Sequence, residues 1–152
     1  MRDAAVFPYG ITFTGEGRLK TFPAAKVDFL NHQGDWFTLF LLIDSGASIS
    51  VLPKADAPLF GIELKAGTPA AVAGVGTDHL RGWQHTVKAR LTHKMVKIPV
   101  IFLDRDHAPR ILGRQDVFTR YTLIFEEKRR RSALLGASTA EAERIQGLLN
   151  EL

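Results

Sequence analysis

The segment LLIDSGASIS (residues 41–50) carries one carboxylate, Asp44, to the end of an apolar run and follows it with a hydroxyl, Ser45, and a glycine, Gly46. A carboxylate in such surroundings has its ionisation tuned by its neighbours, which marks it as a candidate for chemistry. Asp-Ser-Gly alone would equally make a plain turn, because Asp and Ser bond nearby backbone and Gly takes positive φ. A surface turn, however, needs neither the apolar run ahead of it nor the ISVLP behind it. Other chemistries find less to work with. The absence of cysteine excludes thiolate catalysis, disulfides and cysteine-held zinc. His79, His85 and His93 share parity but lack the tight spacing of ligand pairs, so neither a metal nor a cofactor is expected. GVGTDHLRG lacks the G-x-G-x-x-G and following helix of a phosphate cradle, and no G-x-S-x-G marks a nucleophilic serine.

The segments around Asp44 read as strands. AAKVDFL (24–30), WQHTVKARL (83–91) and VKIPVIF (96–102) alternate with period two, as half-buried antiparallel strands do. Pro99 falls opposite the apolar face of the last, which suggests an edge strand or a bulge. WFTLFLLI (36–43) is apolar on both faces and predicts a strand sandwiched inside the domain. ISVLP and YTLIFEE add short strands, and Gly or Pro punctuates the gaps. Many short strands with frequent turns predict an all-β, closed antiparallel barrel. Two helical pieces are expected, a short one over RQDVFTRY (114–121) and an amphipathic one over STAEAERIQGLLNEL (138–152). Ser138 and Glu141 stand at capping-box spacing in the latter. Its stripe of Ala142, Ile145, Leu148, Leu149 and Leu152 suits packing on protein rather than membrane, since the polar face is not lined with basic residues and Arg144 stands alone among Glu141, Glu143 and Glu151.

Two motifs in order then point to a family. LLIDSGASISVLP followed by ILGRQDVF (111–118), with VAGVGT (72–77) between them, resembles the retroviral-type (retropepsin-like) aspartic proteases, with cellular and bacterial single-domain members closer than viral ones. The resemblance implies a closed barrel with a flap hairpin and one short helix, and an aspartic endopeptidase in which Asp44 is catalytic. It casts Ser45 and Gly46 as support for the active-site loop. Val72, Ala73, Gly74, Val75, Gly76 and Thr77 become the substrate-binding flap, and Ile111, Leu112, Gly113 and Arg114 the structure behind the site. This chemistry needs two carboxylates sharing a proton, and Asp56, Asp78, Asp104, Asp106 and Asp116 all sit in loops or beside turn residues. A two-fold homodimer would supply the second copy of Asp44, because an isologous contact brings a residue to its own axis. The alternative is a non-catalytic dimeric module that keeps the fold and binds extended peptides. Many viral members carry an acidic residue where this chain has Ser48, which leaves open the partner of Arg114.

Composition sets the frame for these elements. The 152 residues, 45% hydrophobic and 24% charged, suit one soluble domain with a real core. Residues 1–23 read as an N-terminal extension, 24–127 as the protease domain, and 128–152 as a basic linker and helix. The longest apolar run is too short to span a bilayer, and the first residues do not read as a signal peptide. A cytoplasmic protein with a peptide or protein substrate and no membrane partner is expected. The net charge of +4 owes much to KRRR (128–131), which reads as a solvated linker, so nucleic acid is not an expected partner.

Overall fold

The computed structural model describes residues 2–74 and 78–152. The chain opens with β1 (Ala4–Pro8), a hairpin of β2 (Gly10–Phe13) and β3 (Leu19–Phe22), and the longer pair β4 (Ala24–Leu30) and β5 (Trp36–Ile43). Next come β6 (Ser50–Pro53), one turn of helix α1 (Ala57–Phe60), β7 (Thr68–Ala73), β8 (His79–Arg90) and β9 (Met95–Leu103). The remainder is β10 (Ile111–Leu112), β11 (Tyr121–Glu126), β12 (Arg131–Gly136) and helix α2 (Ala140–Asn150). Seven strands form one sheet in the order β4-β5-β10-β6-β9-β8-β7. Pairing of β4 with β8, with Asp28 opposite Arg90, closes it into the expected barrel, which is antiparallel except for the parallel pairs β5–β10 and β6–β9. A second sheet has the order β1-β12-β11, and β2 and β3 pair only with each other.

Alternation places the core. Val27 and Phe29 of β4, Leu39 and Leu41 of β5, Val87 and Ala89 of β8, and Ile98 and Val100 of β9 all point inward. Phe60 at the end of α1 is their hub, with ring centroids 4.8 Å from Phe37, 5.1 Å from Phe29 and 5.2 Å from Phe102, all near edge-to-face. β5 departs from the expectation of a strand buried on both faces: Phe40 is 64% exposed and Trp36 39%. Only one face of β5 meets the core. Its other face looks outward, where the Arg90 guanidinium lies 4.3 Å over the Trp36 ring and supplies cover that sequence patterning does not reveal. Pro99, expected at an edge or a bulge, lies in the interior strand β9, one residue before the stretch that pairs with β6.

Three further local expectations give way. Residues 115–120 form successive turns rather than the helix expected over 114–121, and Asp116, third in that expected segment, sits at φ 59°, outside helical geometry. Helix α2 is capped by Thr139, whose hydroxyl accepts the Ala142 N–H at 3.2 Å, and not by Ser138. Only Ala142 of its stripe is fully buried, and Leu148 and Leu149 stand above 60% exposed. Residues 128–137 are not a linker, because they contain β12, which buries Leu134 between β1 and β11 and sets the Ser132 hydroxyl on the Ala24 carbonyl. The charged run in front of it disguised that strand. Its charges are partly satisfied: Arg129 and Arg131 both bond Glu126, and Arg130 bonds Thr21.

Asp3 ties β1 to the turn between β8 and β9. The Thr92 hydroxyl donates to it at 2.5 Å and Lys94 Nζ lies 2.9 Å away. Burial pushes this carboxyl up, but the bonds from Thr92 and Lys94 and the charges of Lys94 and His93 outweigh burial and hold it below its usual 3.8. A depressed folded value contributes stability that is present above the unfolded value and is lost as pH falls through the folded one. Asp3→Asn is therefore expected to lower the urea midpoint at pH 6, with the gap to wild type closing below about pH 4. A gap undiminished at pH 2.5 would show that the carboxylate charge is not the cause.

Candidate active site

Strand β5 delivers Asp44 to the site, and β10 fixes where it stops. Ile111 and Leu112 pair in parallel with Leu42 and Ile43, while Ile111 also pairs antiparallel with Val51 of β6. The chain thus leaves β5, turns through Asp44-Ser45-Gly46 and returns as β6, with β10 inserted between the two arms. The Asp44 N–H donates to the Leu112 carbonyl at 3.1 Å, and the Ala47 N–H donates to the Asp44 carbonyl at 3.2 Å. The Gly46 N–H donates to Asp44 Oδ1 at 2.8 Å, which aims the carboxylate. The Arg114 and Gln115 N–H groups donate to the carbonyls of Ala47 and Ser48 at 3.0 and 2.9 Å. Beneath the loop the fully buried Ser50 hydroxyl accepts the Gly113 N–H at 3.0 Å. Asp44 is half-buried, and Ser45 and Gly46 face solvent.

Asp44 opens onto a cleft of about 830 Å³. The active-site loop forms one side through Gly46, Ala47 and Ser48, and the β7–β8 hairpin forms another through Val72, Ala73, Gly74 and Leu80. The expected flap residues Val75, Gly76 and Thr77 lie outside the described residues. Ile49, Val51, Ile101, Leu103 and Ile111 give the cleft an apolar floor, three of them (Val51, Ile101, Leu103) in a small core of their own. Arg105, His107, Ala108 and Pro109 complete the wall.

That wall is anchored. The Lys54 N–H donates to the Arg105 carbonyl at 3.0 Å, and Lys54 Nζ lies 3.3 Å from Asp104. At the other end Arg110 grips the buried Asp56 with two bonds of 2.7 and 2.8 Å, and the Arg110 carbonyl accepts the Leu42 N–H at 2.8 Å. On the far side of the wall lies a second groove of about 850 Å³, between the β2–β3 hairpin and Phe40.

The structure brings together Asp44, Gly46, Val72, Ala73 and Gly74 around one cleft, with Ile111, Leu112 and Gly113 behind or beside the loop, while Ser45 faces solvent and does not line the cleft. Arg114 differs: its side chain is exposed and takes part in none of the ion pairs among the described residues. The guanidinium–carboxylate brace of this region is Arg110 with Asp56 instead. Sequence reading missed Leu103, Arg105, His107 and the 108–109 wall. The parity of IFLDRDH carried the signal, since residues on the other face of β9 from Val100 and Phe102 had to face something. The histidines are dispersed: His85 Nε2 bonds the Leu64 carbonyl at 2.8 Å, and His93 Nδ1 lies 3.1 Å from the Arg2 carbonyl.

No family model matches the sequence, and no curated protein matches it. Solved structures do resemble it. A retropepsin-like aspartic protease from Rickettsia conorii superposes with a TM-score of 0.55 at 15% identity, over 88% of this chain and 94% of that one. EIAV protease bound to an inhibitor gives 0.44 at 23% identity, over 68% and 88% of the two chains. The retroviral protease-like domain of a Leishmania major protein gives 0.45 at 20% identity, over 70% and 83%. The first of these likenesses, with the barrel described above, establishes a retropepsin-like fold.

Proposed function

We propose, from this fold, that the chain is an aspartic endopeptidase acting as a two-fold homodimer, with one active site built from both copies of Asp44. Residues 24–127 form its working body, and β1 and β12 brace that body from outside. The observation that carries the reading is the placement of Asp44: a half-buried carboxylate, aimed by the Gly46 N–H, at the mouth of an apolar-floored cleft. Ser45 and Gly46 are exposed in the single chain, which suits a contact across the axis. Two carboxylates about 3 Å apart cannot both ionise, so the pair keeps one proton. The ionised member takes a proton from a water held between them while the protonated member hydrogen-bonds the substrate carbonyl. Attack of the water then gives a tetrahedral diol with no covalent intermediate. Val72, Ala73 and Gly74 close over an extended peptide that binds as an added strand. Ile111, Leu112 and Gly113 hold the loop from behind, and Arg114 stands beside it.

The test is cleavage of a complex peptide mixture between pH 4 and 7, read by mass spectrometry at a series of protein concentrations. Cut sites should appear, with specific activity rising in step with the dimer fraction and a pH profile governed by the pair. A folded dimer that cuts nothing would favour the peptide-binding module. Specific activity that stays constant down to fully monomeric protein would remove the shared site.

A further inference from the structure

Charge in the cleft is sorted by side. Ile101 and Leu103 at the end of β9 line it, and so do Arg105 and His107 just beyond, whereas the carboxylates between them turn away. Asp104 pairs with Lys54, and Asp106 lines the neighbouring groove. Among the described residues that line the cleft, Asp44 alone is acidic, and Arg105 is its permanent cation. Arg105 is exposed, and none of the ion pairs among the described residues uses it. Its backbone is held by the Lys54 N–H, and the wall is anchored at both ends, so the guanidinium projects from a fixed base rather than from a free loop. A guanidinium matches a carboxylate in two parallel hydrogen bonds, and low-dielectric walls strengthen the field it sees.

We infer that this cleft selects peptides carrying an acidic side chain, Glu or Asp, at the position that lies against Arg105 and His107. The inference rests on reading the cleft as a peptide site. An apolar floor next to one cation separates substrates in a way that the floor alone does not: apolar side chains settle on Ile101 and Leu103, and a carboxylate reaches past them. Arg105 here is a specificity residue and takes no part in the hydrolysis.

The experiment uses the full chain carrying Asp44→Asn, so that binding is read without cleavage. The probe is a synthetic decapeptide library holding equal amounts of Glu and Gln, and of Lys, at each variable position. The bound fraction is sequenced by mass spectrometry. Glu should exceed Gln by about fivefold at one position, the upper end for a solvent-accessible ion pair. That excess should vanish with Arg105→Ala and turn toward Lys with Arg105→Glu. Equal Glu and Gln at every position, an excess that survives Arg105→Glu, or no peptide bound at all would each overturn the inference. Cleavage of the same library by the wild-type chain separates the two readings. Cutting without acidic preference leaves the protease and removes the selectivity. Acidic enrichment without cutting leaves the selectivity and removes the hydrolysis.

Discussion

If the proposed dimeric site is right, Asp44→Asn is expected to lower kcat/KM for peptide cleavage by at least about a thousandfold while leaving the fold and the proposed dimer intact. Asn matches Asp in size, and its amide oxygen can still accept the Gly46 N–H that aims the native carboxylate at 2.8 Å. What it loses is the ability to hold and release a proton. The sharper version of the experiment mixes the two proteins. If both copies of Asp44 serve one site, equal amounts of wild type and variant, allowed to exchange partners at random, leave only about a quarter of the dimers active. If each subunit works alone, half of the activity remains. Adding a fourfold excess of variant widens the gap further. Retention of activity in simple proportion to the wild-type share would defeat the shared site, even if the Asn variant by itself were dead.

How much of this could be read in the residues depends on the range of the interaction. Barrel and core were legible because period-two alternation is local, and Val27, Phe29, Val87, Ala89, Ile98 and Val100 report burial through their own neighbours in sequence. The Asp44 loop and the ILG segment stood out only through their resemblance to the retropepsin-like motifs, because Asp-Ser-Gly by itself would equally make a plain turn. β5 was misjudged for the opposite reason. Its outward face is apolar, yet Phe40 borders an open groove and Trp36 is covered by Arg90, which lies 54 positions away in the chain. β12 was missed because KRRR looks like solvated linker, while its partners Glu126 and Thr21 are supplied by other strands. The Asp56–Arg110 brace follows the same rule. Neither residue announces the other in sequence, and it takes the insertion of β10 beside β6 to bring the two into contact.

Gly113→Ala is expected to be the most damaging single-methyl change near the site. A Cβ at this position would lie 2.3 Å from the Ile49 carbonyl carbon, 2.4 Å from its oxygen and 2.8 Å from the Ser50 nitrogen. All three are backbone atoms, so no rotamer change relieves the overlap, and either β10 or the start of β6 must move. Both motions pull on the same loop. Leu112 anchors the Asp44 N–H, and the Gly113 N–H itself bonds the buried Ser50 hydroxyl. Overpacking in a filled core costs typically 1–3 kcal/mol, and an obstacle made of backbone belongs at the upper end. A loss of about 3 kcal/mol in a domain of this size lowers Tm by roughly 6–12 °C. Gly46→Ala makes the natural comparison, because its Cβ would meet only Asp44 Oδ1, at 3.2 Å, and that side chain can shift by a few tenths of an ångström. The two variants should therefore divide cleanly. Gly113→Ala should lose thermal stability and peptide cleavage together, whereas Gly46→Ala should keep nearly all of its Tm and show its effect in cleavage. Equal Tm values for the two variants, read by calorimetry at one protein concentration, would mean that β10 is not wedged against Ile49 as described, and with it would go the account of how Asp44 is held.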